Sequence, residues 1–131
     1  MKVVLDTNVV VSAFLSPAGK SAIILQMVIK RDIEICVNTA ILAEYEEVLC
    51  RPKFAKQIHQ SAISRFFEII HSIALNISGN PSWISMPDET DRKCYDLAKT
   101  ADAYLVTGNK KHYPDDAFIK TPNEFLESIN F

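Results

Sequence analysis

The chain has 131 residues, with 14 Lys and Arg against 16 Asp and Glu for a formal net charge of −2, and 48% of its residues are hydrophobic. That composition describes one ordinary domain over 1–131 with a sizeable core, and it excludes a disordered or low-complexity chain. The slight acidic excess gives no sign of a nucleic-acid partner, which usually brings a basic surplus.

Val3 to Leu5 is a short unbroken apolar run that reads as a strand buried on both faces, with Asp6 at its carboxyl end. The longest nearly apolar stretch, Val9 to Leu15, falls well short of the roughly 20 residues a membrane helix needs. No signal peptide is legible, because Asp6, Thr7 and Asn8 interrupt the first apolar run. Ser21 to Arg31 reads as a deeply packed helix and Ile33 to Val37 as a second strand, after which Asn38 or Thr39 caps the next helix. That helix, Ala40 to Cys50, carries Ile41, Leu42, Tyr45, Val48 and Leu49 on one stripe and stops before Pro52.

Ser61 to Leu75 repeats the helical pattern, and Asn76 to Pro87 reads as loop with at most one short strand. Thr90 to Ala101 is helical again, and Ala103 to Val106 is a short strand closed by Thr107, Gly108 and Asn109. Ala117 to Ile119 offers a last strand, and Pro122 to Ser128 a last helix with Pro in its first turn. Alternating strands and helices imply an α/β fold, a three-layer α/β/α sandwich on a mainly parallel sheet, with ligands gathered beyond the carboxyl ends of the strands. Cys36, Cys50 and Cys94 are odd in number and lack CxxC spacing, so buried thiols in a reducing, cytoplasmic setting are expected.

The informative acids lie at a strand end or on an apolar face. Asp6 either caps the following helix or belongs to a polar site together with Thr7 and Asn8. On the Ala40 to Cys50 helix, Glu44 and Glu46 each fall about 40° outside the apolar stripe, and periodicity does not choose between them. Asp91 lies on the apolar face of a helix beginning at Asp88, whose own structural task is that of N-cap; Asp96 projects to the surface. Thr107, Gly108 and Asn109 close a parallel strand at the edge that carries Asp6. His59, His71 and His112 show no ligand spacing and read as surface or hydrogen-bonded groups.

Carboxylates converging from separate elements repel one another unless a cation intervenes, and all-oxygen ligands select a hard ion, Mg2+ or Mn2+. Such an ion suits phosphodiester hydrolysis. A phosphotransfer module also places an Asp after its first strand, but the haloacid-dehalogenase type wants a second Asp where this chain has Asn8.

Five segments in this order resemble the PIN domain family, in particular its VapC-like toxins: Val4-Leu5-Asp6-Thr7-Asn8; Glu44 to Leu49 with Arg51-Pro52-Lys53-Phe54; Asp88-Glu89-Thr90-Asp91-Arg92; Tyr104 to Asn109; and Thr121-Pro122 before Glu124-Phe125-Leu126. The resemblance covers essentially the whole chain. It implies a metal-dependent ribonuclease, restrained by a small antitoxin protein and often homodimeric. The family's acids fall on Asp6, Glu44 and Asp91, and its frequent fourth acid falls on Asn109, which brings an amide oxygen but no charge. On this reading Asp6, Glu44 and Asp91 are catalytic, and Asp6, Asp91 and Asn109 hold the metal. Thr7, Asn8, Asp88 and Thr107 support them, and Arg51, Lys53, Arg92 and Lys110 offer phosphate contacts to RNA. The runner-up is a non-catalytic PIN-like protein that binds RNA or a partner through a weakened metal site. Setting aside the four acids Asp6, Glu44, Asp88 and Asp91 turns the remaining charge slightly basic, so the acidic total does not count against an RNA substrate.

Overall fold

A computed structural model describes residues 1–129; the last two residues of the domain expected over 1–131 lie outside the described residues. Five strands form one sheet: β1 (Lys2–Leu5), β2 (Glu34–Val37), β3 (Leu75–Asn76), β4 (Tyr104–Val106) and β5 (Ile119–Lys120). Their order is β3-β2-β1-β4-β5, and every pairing is parallel. The six helices are α1 (Thr7–Leu15), α2 (Lys20–Ile29), α3 (Thr39–Leu49), α4 (Gln60–Ile73), α5 (Arg92–Ala101) and α6 (Pro122–Ser128). The expected α/β/α sandwich is therefore present, and its parallel strands have the apolar sequences that two covered faces demand. Among the described residues no single helix is long and apolar enough to cross a membrane.

The strand order reverses direction at β1 and β4, which is where an open parallel sheet leaves a crevice beyond its carboxyl edge. Pairing in the register Leu5↔Val106 sets the next residues, Asp6 and Thr107, side by side. The Asp6 backbone amide donates to the Val106 carbonyl at 3.0 Å and fixes that junction. Val3, Val4, Leu5, Leu105 and Val106 are completely buried, so the platform under the crevice belongs to the hydrophobic core.

Local sequence fixes the helices that flank it. Asn38, one of the two expected caps, accepts from the Ile41 amide at 2.9 Å and starts α3. Tyr45 is fully buried in α3 and its hydroxyl donates to the Leu5 carbonyl, pinning the helix to the end of β1. Thr121 and Glu124 complete a capping box at α6 behind Pro122, as the sequence pattern suggested. At the far end of α5, Asp102 takes a left-handed conformation (φ 54°, ψ 49°) and turns the chain into β4.

Three expectations need correction. Val9 to Leu15, read only as an apolar stretch, forms most of α1, with Val9, Val10, Val11 and Ala13 in the core. The helix expected from Thr90 begins at Arg92, because Glu89–Asp91 forms a 3-10 turn first; Asp91 is then the residue ahead of α5 and not a member of its apolar face. Asp96, expected at the surface, is buried, and its Oδ1 has no hydrogen-bond partner. The reason is the loop after β3. A Cβ on Gly79 would lie 3.1 Å from the Leu97 nitrogen, and the Asn80 amide donates to Thr100 Oγ1 at 2.8 Å, so the loop lies against the outer side of α5. All three cysteines are free; Cys36 and Cys94 are buried as expected, but Cys50 is exposed, because it caps the carboxyl end of α3 instead of packing on its apolar stripe.

Candidate metal centre

Asp6 occupies the N-cap position of α1, yet its carboxylate makes no capping hydrogen bond. It turns to β4, where Thr107 Oγ1 donates to Asp6 Oδ2 at 2.8 Å. The same hydroxyl accepts from the Asn109 amide at 3.1 Å, which ties the turn after β4 to this floor. Burial pushes the Asp6 carboxyl above the ordinary carboxylate range; the Thr107 bond opposes that rise and the charge of Glu44 adds to it.

Glu44 enters from α3 one residue before the buried Tyr45. Its Oε2 accepts from Thr7 Oγ1, and its Oε1 pairs with Lys93 Nζ at 2.7 Å. Glu46 is exposed, so of the two acids that periodicity left open it is Glu44 that turns to the crevice. Asn8 is exposed in the first turn of α1, at the mouth.

The opposite wall is the segment ahead of α5. Asp88 caps the 3-10 turn, accepting from the Thr90 amide at 3.0 Å and from Thr90 Oγ1 at 2.7 Å, and the Thr90 hydroxyl bond holds its carboxyl below the usual range. The structural task read from the sequence is thus performed. Asp91 differs. Its Oδ2 is buried without a hydrogen-bond partner, and although His112 Nδ1 lies 3.3 Å away, no hydrogen bond joins them. Burial first, then the charges of Asp6 and Asp88, push Asp91 up to about 6; His112 acts in the opposite sense.

Asp88, Asp91 and His112 each offer a ligand atom, and these three atoms lie within 4.8 Å of one another. Asn109 stands beside them with its Nδ2 2.9 Å from His112 Nε2. Behind the cluster the buried Tyr113 hydroxyl turns to the Asp6 carboxyl; burial first, then the charges of Cys94, Asp6 and Asp91, hold the phenol well above its usual range. A carboxylate oxygen buried among like charges without a donor is the environment a divalent cation relieves, so these residues fit such an ion. Asp6 and Glu44 lie outside the 4.8 Å group but couple electrostatically to Asp91.

The residues expected to contact phosphate all have partners within the chain. Arg51 pairs with Glu47 at 3.0 Å, Lys53 lies over the Phe54 ring, and Lys110 reaches Glu124 at 3.1 Å. Arg92 pairs with Glu89 at 2.6 Å and donates to the Ser82 and Ile84 carbonyls, which anchors the loop after β3.

Lys93 and Tyr113 lie outside the site the sequence predicts, and His112 is expected only as a surface or hydrogen-bonded group. Lys93 sits two residues beyond Asp91 in the first turn of α5, and only tertiary packing brings it to Glu44. His112 was read as surface or hydrogen-bonded; it is half-buried, bonded to Asn109, and part of the cluster. The legible signal was the three-residue step from Asn109, which a 3-10 turn folds back on itself.

A sequence model described as PIN domain matches residues 2–111. The chain is 28% identical to an uncharacterised protein, MJ1680, of Methanocaldococcus jannaschii, over 99% of this chain and 82% of that protein. Its fold is similar to a crystal structure of VapBC2 from Rickettsia felis bound to a DNA fragment from their promoter. That match has a TM-score of 0.55 at 20% identity and covers 87% of this chain and 94% of the other.

Proposed function

The chain belongs to the PIN domain family, and from that premise we propose that it is a Mg2+- or Mn2+-dependent endoribonuclease, the toxin component of a toxin–antitoxin pair, acting in the cytoplasm as a single domain. The observation that carries the reading is the unpartnered, buried Asp91 oxygen in an acidic crevice at the carboxyl edge of β1 and β4. Members of the family are generally metal-dependent nucleases, and the crevice supplies the donor chemistry such an activity requires. The VapBC2 likeness supports an antitoxin protein as partner, and the homodimer is what the family resemblance implies.

Asp6 and Asp91 would hold the ion, with Asp88, Glu44 and Asn109 around it. When bound, it supplies charge neutralisation at a phosphoryl oxygen and a water acidic enough to attack near neutral pH. The chain's own residues set the stage. Thr107 fixes the Asp6 carboxylate and Thr7 fixes Glu44, so neither acid rotates away from the crevice. Lys93 satisfies one Glu44 oxygen and limits repulsion among the acids before substrate arrives. Arg51, Lys53, Arg92 and Lys110 would contact the RNA backbone, each exchanging a present neighbour for phosphate. Because the crevice is acidic, metal should also improve RNA binding.

Wild type and Asp6→Asn, purified side by side and given the same RNA panel with Mn2+, test the reading. Cleavage by the wild type alone supports it, and equal rates sink the site assignment. A second reading, a PIN-like protein that binds RNA or a partner without cutting, draws on Asn109, whose amide brings no charge where the family often has an acid. Calorimetry separates the two, since a scaffold that has lost catalysis should take up Mn2+ weakly or not at all.

A further inference from the structure

We propose that His112 is a nitrogen ligand of the divalent ion, through Nδ1 beside Asp88 and Asp91, with Asn109 orienting the ring from behind, so that the centre prefers Mn2+ to Mg2+. The inference rests on the metal-dependent reading above and deepens it. It starts from the cluster itself: one atom from each of Asp88, Asp91 and His112 within 4.8 Å. In an octahedral site with ligands about 2.1 Å from the ion, neighbouring ligand atoms stand about 3 Å apart and opposite ones about 4 Å. The 3.3 Å between His112 Nδ1 and Asp91 Oδ2 matches one such edge.

One unsatisfied group points to the same place. Asp91 Oδ2 is buried and accepts no hydrogen bond, while the charges of Asp6, Asp88 and Glu44 bear on it. A bound ion supplies the positive charge it lacks.

The ring also has within reach the partner a ligating histidine needs. Ligating histidines donate their second N–H to an oxygen that fixes ring and tautomer. Without metal, His112 Nε2 faces the donor Asn109 Nδ2 at 2.9 Å and Nδ1 faces Asp91 Oδ2 at 3.3 Å; binding the ion at Nδ1 moves the ring proton to Nε2, and the Asn109 amide then turns its oxygen to it. The 3-10 turn Lys110–His112 sets that spacing, closed by the His112 amide donating to the Asn109 carbonyl at 3.1 Å. Asn109, the departure from the family's acid, thus becomes the support of a ligand three residues on. A nitrogen donor disfavours Mg2+, which prefers oxygen, relative to a transition ion.

Electron spin-echo envelope modulation of Mn2+ bound to untagged protein reads nitrogen ligation directly. The wild type should show 14N modulation, and His112→Ala and His112→Gln should lose it. Both should also weaken Mn2+ by at least about tenfold, and Mg2+ by less. Bound Mn2+ without 14N modulation in the wild type, or modulation that persists in both variants, overturns the proposal and leaves the nuclease reading standing. A wild type that takes up no Mn2+ overturns both.

Discussion

Asp6 and Asp91 bear the same carboxyl group, and burial pushes both above the ordinary carboxylate range, but their surroundings differ. Asp6 sits on the sheet, locked by Thr107, whose position follows from the β1–β4 register. Asp91 sits where a 3-10 turn hands over to α5, with a buried oxygen that accepts no hydrogen bond and faces His112 Nδ1 at 3.3 Å. The floor of the crevice is complete as protein alone, whereas its wall is left short of positive charge. The difference locates the demand for a cation at the wall and assigns the floor the task of holding an acid still.

The contrast breaks first at Thr107. Thr107→Val keeps the shape but leaves the buried Asp6 carboxylate without its hydroxyl donor, at a cost of about 1–3 kcal/mol in stability. Metal affinity should fall about 10- to 100-fold, as it does when a ligand loses its outer partner. Thermal melts with and without Mn2+, plus calorimetry, measure the two effects; unchanged affinity would mean that the floor is not what holds Asp6 in place.

A smaller effect concerns pH. The Asp91 carboxyl lies at about 6 in the folded protein against 3.8 ordinarily, so the folded state binds the extra proton in that window. Its stabilising contribution is therefore full below about 3.8 and is lost as pH rises through about 6. Discounted for partial exposure, the change is about 1 kcal/mol. Metal-free Asp91→Asn should show a flatter stability profile across that range than the wild type, read by urea melts at a series of pH values. Identical slopes would deny the wall its electrostatic strain.

Least in size is Lys93. Removing its charge with Lys93→Met takes a competing cation from the crevice, and metal affinity should rise about fivefold, the equivalent of about 1 kcal/mol. Weaker metal binding would instead make Lys93 a needed support of Glu44.

The same division explains what the sequence reveals. Four of the five strands, five of the six helices and the floor acid are legible because strand burial, helix periodicity and caps such as Asn38 and Thr121 are local signals, whereas β3 is only two residues long and its Leu75 reads as the end of the preceding helix. Thr107 is legible too, since it ends a parallel strand at the edge that carries Asp6. The first helix is hard to read because its exposed line is thin, only Asn8, Ser12 and the apolar Leu15. Asp96 was misplaced because the loop that covers it comes from elsewhere in the chain. Lys93, Tyr113 and His112 gain their neighbours only through tertiary packing and a 3-10 turn, and periodicity reports neither. The choice of Glu44 over Glu46 needed the family resemblance before the Lys93 pair made it visible.

Calorimetric titration of Mn2+ into metal-free protein near neutral pH, wild type against Asp91→Asn, reads the wall's demand for a cation without intermediate steps. The wild type should take up the ion, and a variant that keeps its circular dichroism should lose more than about 100-fold, beyond what the loss of an outer partner produces. Equal affinity in the two proteins would contradict it, because the unpartnered oxygen of Asp91 would then not be where the ion binds.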